Sequence, residues 1–143
     1  MAETFPRLSR APIQEAVLDI GVELPPDIGR ELAQRWAEPC ELAFEHLLHH
    51  RPVVLLAWIR SGNLHVADLT FAAEIAGRHT DAVSVRETLL PLLTHAEPVV
   101  REGAVYGLAL HLDGEVRSAL QRTADEDASL GVRQAARDAL ARG

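Results

Sequence analysis

The sequence predicts an all-α protein, a short α-solenoid of about four antiparallel helical hairpins behind one extended N-terminal segment. Three observations favour this class: the composition, the spacing of helix start and stop signals, and an internal repeat of 32 residues. The 143 residues include 22 alanines and 21 leucines, whereas aromatic residues make up only 4%. This length suits a single domain with a substantial core.

Composition and charge exclude several classes of protein. A single cysteine cannot build a disulfide framework, and no apolar run approaches the ~20 residues that span a bilayer. The formal net charge is -7, and all 14 basic residues are arginine. This balance argues against nucleic acid or an anionic membrane as a partner. We therefore expect a cytoplasmic protein, with its one tight acidic cluster, residues 125–127, in a solvated loop.

Residues 1–25 differ from the rest of the chain. Between residues 16 and 24, apolar side chains fall on every second position, and prolines 12, 25 and 26 bracket this span. A period of two predicts a half-buried β-strand over residues 14–24. No later segment alternates in this way, so the strand could lie on the helical domain, pair with its copy in a homodimer, or extend the sheet of another protein. An irregular or helical N-terminal cap is the alternative.

Residues 26–143 carry the signals of eight helices, and residues 26–51 are interpreted as a degenerate capping hairpin. The predicted spans are 27–36, 39–50, 52–62, 64–77, 84–94, 98–114, 115–124 and 129–141, joined by short connections that favour antiparallel neighbours. The signals are Pro39, Pro52 and Pro98 in first turns, Asp27, Asn63, Ser84 and Ser129 as N-caps, and Gly62 as a C-terminal glycine.

An internal repeat links the last two hairpins. Residues 100–108, VREGAVYGL, align without a gap to residues 132–140, VRQAARDAL, at an offset of 32. A looser copy lies 31 residues earlier, where Ala73 and Ala76 match Ala104 and Gly107. Small residues that recur three or four positions apart form a stripe along a helix, which lets a neighbouring helix approach closely. The repeat therefore predicts stacked hairpins.

Residues 52–143 resemble the HEAT-repeat family, in particular the bacterial repeats related to phycobilisome lyases. The resemblance rests on the leucine-rich stretch 89–93, the turn with Pro98, and the V-R-x-x-A pattern that follows each turn. It implies a right-handed solenoid and a ladder of turn aspartates and helix arginines, here Asp127 with Arg101 or Arg133. His95 stands where the preceding copy should have its aspartate. Separately, residues 10–20 resemble the opening strand of a family of uncharacterised bacterial proteins.

The sequence gives little support to catalysis or to a bound cofactor or metal. His46 and His50 are four residues apart, with His49 between them, so they could share a helix face, but a third metal ligand would have to come from elsewhere. We expect these histidines to be solvated at a helix end. Cys40, just after a proline, is expected to be a buried structural thiol. The remaining histidines are expected at turns and helix ends.

A binding surface on the second helix of each hairpin is the favoured functional hypothesis. The expected role is a non-catalytic adaptor, scaffold or regulatory module that binds another protein on a concave face. Packing of Tyr106, Phe71 and Ile75 between repeats is the structural alternative. A lyase or chaperone for a cofactor, implied by the family resemblance, and nucleic-acid binding through Arg101, Arg133, Arg137 and Arg142 are the functional alternatives. The expected partner-binding residues are Tyr106, Val105, Glu102, Phe71, Glu74, Arg137 and Asp138.

Overall fold

The computed structural model describes residues 40–142, and within this range the chain is all-α, as predicted. The predicted strand over residues 14–24 and the predicted helix over residues 27–36 lie outside the described residues. No helix of the described range has both the length and the apolar character needed to cross a membrane. The helices are α1 (Glu41–His50), α2 (Pro52–Ser61), α3 (Val66–Ala76), α4 (Ala82–Leu89), α5 (Pro98–Leu108), α6 (Gly114–Glu126) and α7 (Leu130–Arg142). Short 3₁₀ turns follow α4 (Leu90–Thr94) and α5 (Ala109–His111).

Most of the predicted helix boundaries are confirmed to within a few residues. Gly62 ends α2 with φ 76°, a left-handed conformation that glycine adopts without steric cost. The hydroxyl of Ser129 accepts a hydrogen bond from the Val132 N–H at the start of α7. Two predicted caps are wrong. Asn63 does not cap α3, which begins after His65, and α4 is capped by the Asp81 carboxylate rather than by Ser84.

The helix predicted over residues 84–94 is two elements in the structure. α4 ends at Leu89 and continues as a 3₁₀ turn that contains Pro91. Proline has no N–H to donate and its ring clashes with the carbonyl four residues earlier, so it disfavours an α-helix interior. Pro91 lies in the first turn of the 3₁₀ element, where its missing N–H is not needed.

The helices pack as two layers. α1, α3, α5 and α7 form one layer, in which each helix contacts the next member, and α2, α4 with its 3₁₀ turn, and α6 form the other. Consecutive helices α2 and α3, α4 and α5, and α6 and α7 contact each other across the layers. One continuous apolar core lies between the layers, with Phe44 and Trp58 at one end in an edge-to-face ring contact at 5.7 Å.

Helices α3 and α5 lie so close together that their contact leaves no room for a Cβ at three glycines. A Cβ added to Gly107 would lie 2.5 Å from the Ala73 carbonyl oxygen and 2.6 Å from Leu89 Cδ1. A Cβ on Gly103 would lie 2.7 Å from the Thr70 carbonyl oxygen, and one on Gly77 would clash with the Gly107 backbone. The stripe of small residues expected from the repeat is therefore present, and at this interface it has to be glycine.

We predict that Gly107→Ala destabilises the protein, because the new methyl group meets a carbonyl oxygen rather than a movable side chain. Overpacking of this kind costs about 1–3 kcal/mol. Gly114→Ala is the matched control, since nothing lies within 4 Å of its added Cβ, and it is expected to be neutral or stabilising by about 0.4–1 kcal/mol. Urea denaturation of both variants measures the difference, and equal stabilities would contradict the close contact.

Candidate functional site

Each copy of the repeat has an equivalent hydrogen bond in the turn before its second helix. Arg101 Nη1 donates to the His95 carbonyl oxygen at 2.8 Å, and Arg133 Nη1 donates to the Asp127 carbonyl oxygen at 2.7 Å. Donor and acceptor are six residues apart in both copies and the two bonds are 32 residues apart. The sequence repeat therefore corresponds to a repeated local structure, in which an arginine holds the turn against its own helix.

Arg101 also forms an ion pair with Asp127, so it joins two successive hairpins. Its Nε and Nη2 donate to the two carboxylate oxygens of Asp127 at 2.8 and 3.0 Å. The side chains are only 13% and 7% exposed, so the expectation of a solvated loop at residues 125–127 is wrong for Asp127. A parallel two-bond contact of this kind is among the stronger side-chain interactions. The structure thus brings together all three residues of the implied ladder.

The ionised form of Asp127 is stabilised by its surroundings. Burial by itself would raise the pKa of its carboxyl, but several favourable interactions outweigh that cost and lower the pKa. They are the hydrogen bonds from Arg101 and from the Ser129 N–H, together with the positive charges of Arg101 and Arg133. The carboxylate therefore ties the α6–α7 turn to the start of α5.

A groove of about 390 Å³ lies on the outer face of the layer formed by α1, α3 and α5. Its apolar part includes two aromatic side chains on neighbouring helices, Phe71 and Tyr106, which are 42% and 38% exposed. Leu110 is exposed beside them, whereas Ile75 is buried. We call this surface the α1–α3–α5 groove, and it is lined by Glu41, Glu45, Phe71, Glu74, Ile75, Arg78, Tyr106 and Leu110.

Carboxylates surround the aromatic rings of the α1–α3–α5 groove. Partial burial and the negative charges of Glu41 and Glu102 raise the pKa of Glu74. Partial burial also raises the pKa of Tyr106, to which Glu102, Glu74 and Asp138 contribute. The Tyr106 hydroxyl donates to Glu102 Oε1 at 3.2 Å. These groups on α1, α3, α5 and α7 therefore lie close enough to repel one another.

The structure brings together five of the seven residues expected to bind a partner. Phe71, Glu74 and Tyr106 line the α1–α3–α5 groove, while Glu102 and Asp138 lie close enough to Tyr106 to shift its pKa. Both aromatic side chains remain partly accessible, whereas Ile75 is buried, as the alternative of packing between repeats expects for it.

The other two expected residues are not part of this surface. Val105 is fully buried, so its placement on an exposed face is wrong. α5 contacts α3, α7, α4 and the 3₁₀ turn after α4, and packing on several sides buries more of its circumference than one inward stripe. Arg137 instead donates to the Ala124 carbonyl oxygen at 3.2 Å, near the end of α6.

Sequence reasoning placed Ile75 near Phe71 and Glu74 but missed Leu110 and Arg78, which also line the groove. Leu110 follows Tyr106 by four positions, and Arg78 follows Phe71 by seven. This spacing predicts one helix face and could have found them. Glu41 and Glu45 have no such signal, because the first hairpin lacks the repeat that would set its register.

The histidines and the cysteine lie mainly at helix ends. The rings of His46 and His50 are 4.5 Å apart, but no cluster of three potential ligands that could hold a metal ion occurs among residues 40–142. His65 precedes α3, His95 ends the 3₁₀ turn after α4, and His111 contacts the Gly77 carbonyl oxygen at 2.7 Å. Cys40 is half-buried just before α1, where a fully buried thiol was expected.

Comparison with protein-family models, curated proteins and solved structures finds no match to this chain.

We predict that Asp127→Asn costs about 3 kcal/mol of unfolding free energy, because removing one partner leaves the buried charge of Arg101 uncompensated. Glu45→Gln is the matched control, since it removes an ion pair with Arg78 whose side chains are 46% and 38% exposed. Such a pair contributes less than about 1 kcal/mol. Equal losses in both variants, measured by chemical denaturation, would show that Asp127 is not part of the framework.

The same pair predicts a pH dependence of stability. The pKa of Asp127 is lower in the folded chain, so its contribution is complete above the unfolded value of about 3.9 and is lost as pH falls through the folded value. We expect the free energy of unfolding to decline more steeply below about pH 4 in the wild type than in Asp127→Asn. Parallel pH profiles would contradict this assignment.

We predict that Glu74→Gln stabilises the protein at pH 7, since it removes a partly buried charge that is repelled by Glu41 and Glu102. The folded chain favours the protonated form of Glu74, so the variant's advantage should shrink as pH falls and the wild-type carboxyl takes up its proton. Glu87→Gln, on the exposed face of α4, is the control and should change neither the stability at pH 7 nor its dependence on pH. Thermal denaturation at several values between about pH 4 and pH 7, the range in which a carboxyl with a raised pKa titrates, tests this.

Proposed function

We propose that this chain is a short, right-handed HEAT-like α-solenoid that acts as a non-catalytic protein-interaction module, and that the α1–α3–α5 groove is its binding surface. The observation that carries the proposal is the exposure of Phe71 on α3, Tyr106 on α5 and Leu110 in the 3₁₀ turn after α5, all in one groove. Aromatic side chains in a groove are common anchors of protein interfaces, because they bury a large area at low cost in conformational entropy.

The packing pattern supports the solenoid part of the proposal. Each odd-numbered helix contacts the next one in its layer, and the arginine-to-turn hydrogen bond recurs in the last two hairpins. In a stacked array of this kind the second helices of successive hairpins supply one continuous surface, and partners bind there. The role is that of an adaptor, scaffold or regulatory subunit in the cytoplasm.

The arginines favour a protein partner over nucleic acid. Arg101 and Arg133 are held in the turn hydrogen bonds, and Arg137 and Arg142 donate to the carbonyl oxygens of Ala124 and Asp138. The groove itself is rich in carboxylates, which repel a phosphate backbone. Both features weigh against the nucleic-acid alternative.

Site-specific photo-crosslinking tests the proposal. A photoreactive phenylalanine analogue at position 106 is expected to capture a discrete partner in cells that produce the protein naturally. The same analogue at position 83, an exposed position of α4 on the other layer, should not. Capture should also fall when Phe71→Ser is added to the crosslinking chain, whereas Val53→Ser should leave it unchanged. Crosslinks from position 83 alone, or from neither position, would contradict the proposed surface.

A further inference from the structure

The α1–α3–α5 groove combines apolar and negatively charged groups in a way that restricts what it can bind. Phe71 and Tyr106 offer ring faces, and Leu110 adds an exposed aliphatic side chain at one end. Buried Ile75 extends the apolar lining between the rings and the core. An occupant therefore gains apolar contact only if it contributes aliphatic side chains or carbon-rich stems of its own.

The charges of the groove are not balanced within the described part of the chain. Arg78 is the only cation in its lining, and it is already paired with Glu45 at 3.0 Å. Glu41, Glu74 and Glu102 form no ion pair with any residue in the range 40–142. Partial burial, together with the negative charges of Glu41 and Glu102, raises the pKa of Glu74. Excess negative charge beside exposed rings favours a positively charged occupant.

We propose that the α1–α3–α5 groove binds a basic segment of a partner protein, one in which two or more arginines or lysines flank an aliphatic residue. The cationic groups pair with Glu41, Glu74 and Glu102, and an arginine can also stack on Tyr106 or Phe71. The aliphatic residue packs against Leu110 and the ring edges. This inference rests on the proposed binding role of the groove and specifies the chemistry of its partner.

A second groove in the described part of the chain does not fit this partner as well. It measures about 660 Å³ and lies between α6 and the 3₁₀ turn after α4. Its lining contains no aromatic residue, and of its acidic residues Glu115 is paired with Arg86 and Asp127 with Arg101. It therefore lacks the ring faces, and it serves as an internal comparison.

Selection of peptides on the intact 143-residue chain tests the proposal. The probe is a phage-displayed library of random peptides roughly a dozen residues long, because protein grooves commonly recognise short peptide segments. We expect the recovered peptides to be enriched in arginine or lysine together with leucine, isoleucine or valine. The strongest peptide is then synthesised with a fluorescent label, and its Kd is measured by anisotropy at low and at physiological salt.

Two double variants with the same change in net charge separate the groove from the general acidity of the chain. Glu41→Gln/Glu74→Gln alters the groove, whereas Glu87→Gln/Glu126→Gln alters exposed positions on α4 and α6. The first is expected to weaken peptide binding about tenfold or more and the second less than about twofold. Tyr106→Ala should also weaken it about tenfold. Circular dichroism and thermal denaturation establish that each variant is folded.

The outcomes are decisive for the partner chemistry and separate it from the proposed function. Recovery of neutral or acidic peptides, recovery of no peptide, or equal weakening by both double variants overturns the basic segment as the occupant. If position 106 still crosslinks to a partner in that case, the binding role stands and only the chemistry assigned here fails. If position 106 captures nothing, the proposed function itself fails.

Discussion

The close contact between α3 and α5 is the constraint on which the rest of the structure depends. Gly103 and Gly107 bring the α5 backbone against Thr70 and Ala73 of α3, with no room for a methyl group. At this spacing Phe71 and Tyr106, on the outward sides of the same two helices, line one groove. Larger residues at the glycine positions would force the helices apart, since close-packed interiors do not absorb added volume without strain. The groove is thus a consequence of how the core packs.

The buried Arg101–Asp127 pair fixes the next hairpin in a different way. Arg101 donates to the turn before its own helix and also to Asp127, in the equivalent turn of the next hairpin. One guanidinium therefore holds two hairpins in register. The main effect of the pair is to orient the two hairpins, because the cost of desolvating both charges offsets much of their attraction. It positions α7 so that Asp138 lies near Tyr106 and adds to the negative potential of the groove.

Framework and candidate site use different chemistry. α3 and α5 meet through small residues, and the turns before α5 and α7 are held by arginine hydrogen bonds. The groove, by contrast, combines exposed rings with an excess of carboxylates. Glu45 pairs with Arg78, but Glu41, Glu74 and Glu102 form no ion pair with any other described residue. Groups that repel one another lower stability, and such arrangements are expected where a surface is kept for a partner rather than for folding. This contrast supports the proposal that the groove is a binding surface.

For residues 40–142, the sequence by itself determined the all-α class, the order of the helices and most of their ends, because proline, glycine and capping residues act locally. It also identified the 32-residue repeat and, through it, Phe71, Glu74 and Tyr106 on equivalent faces. Only the tertiary structure decided that Val105 is buried, that Pro91 divides the fourth helix, and that α1 supplies Glu41 and Glu45 to the groove. These facts depend on which helices surround a residue. Periodicity along one helix shows its faces, but the number of neighbours that cover them is set by packing between distant segments.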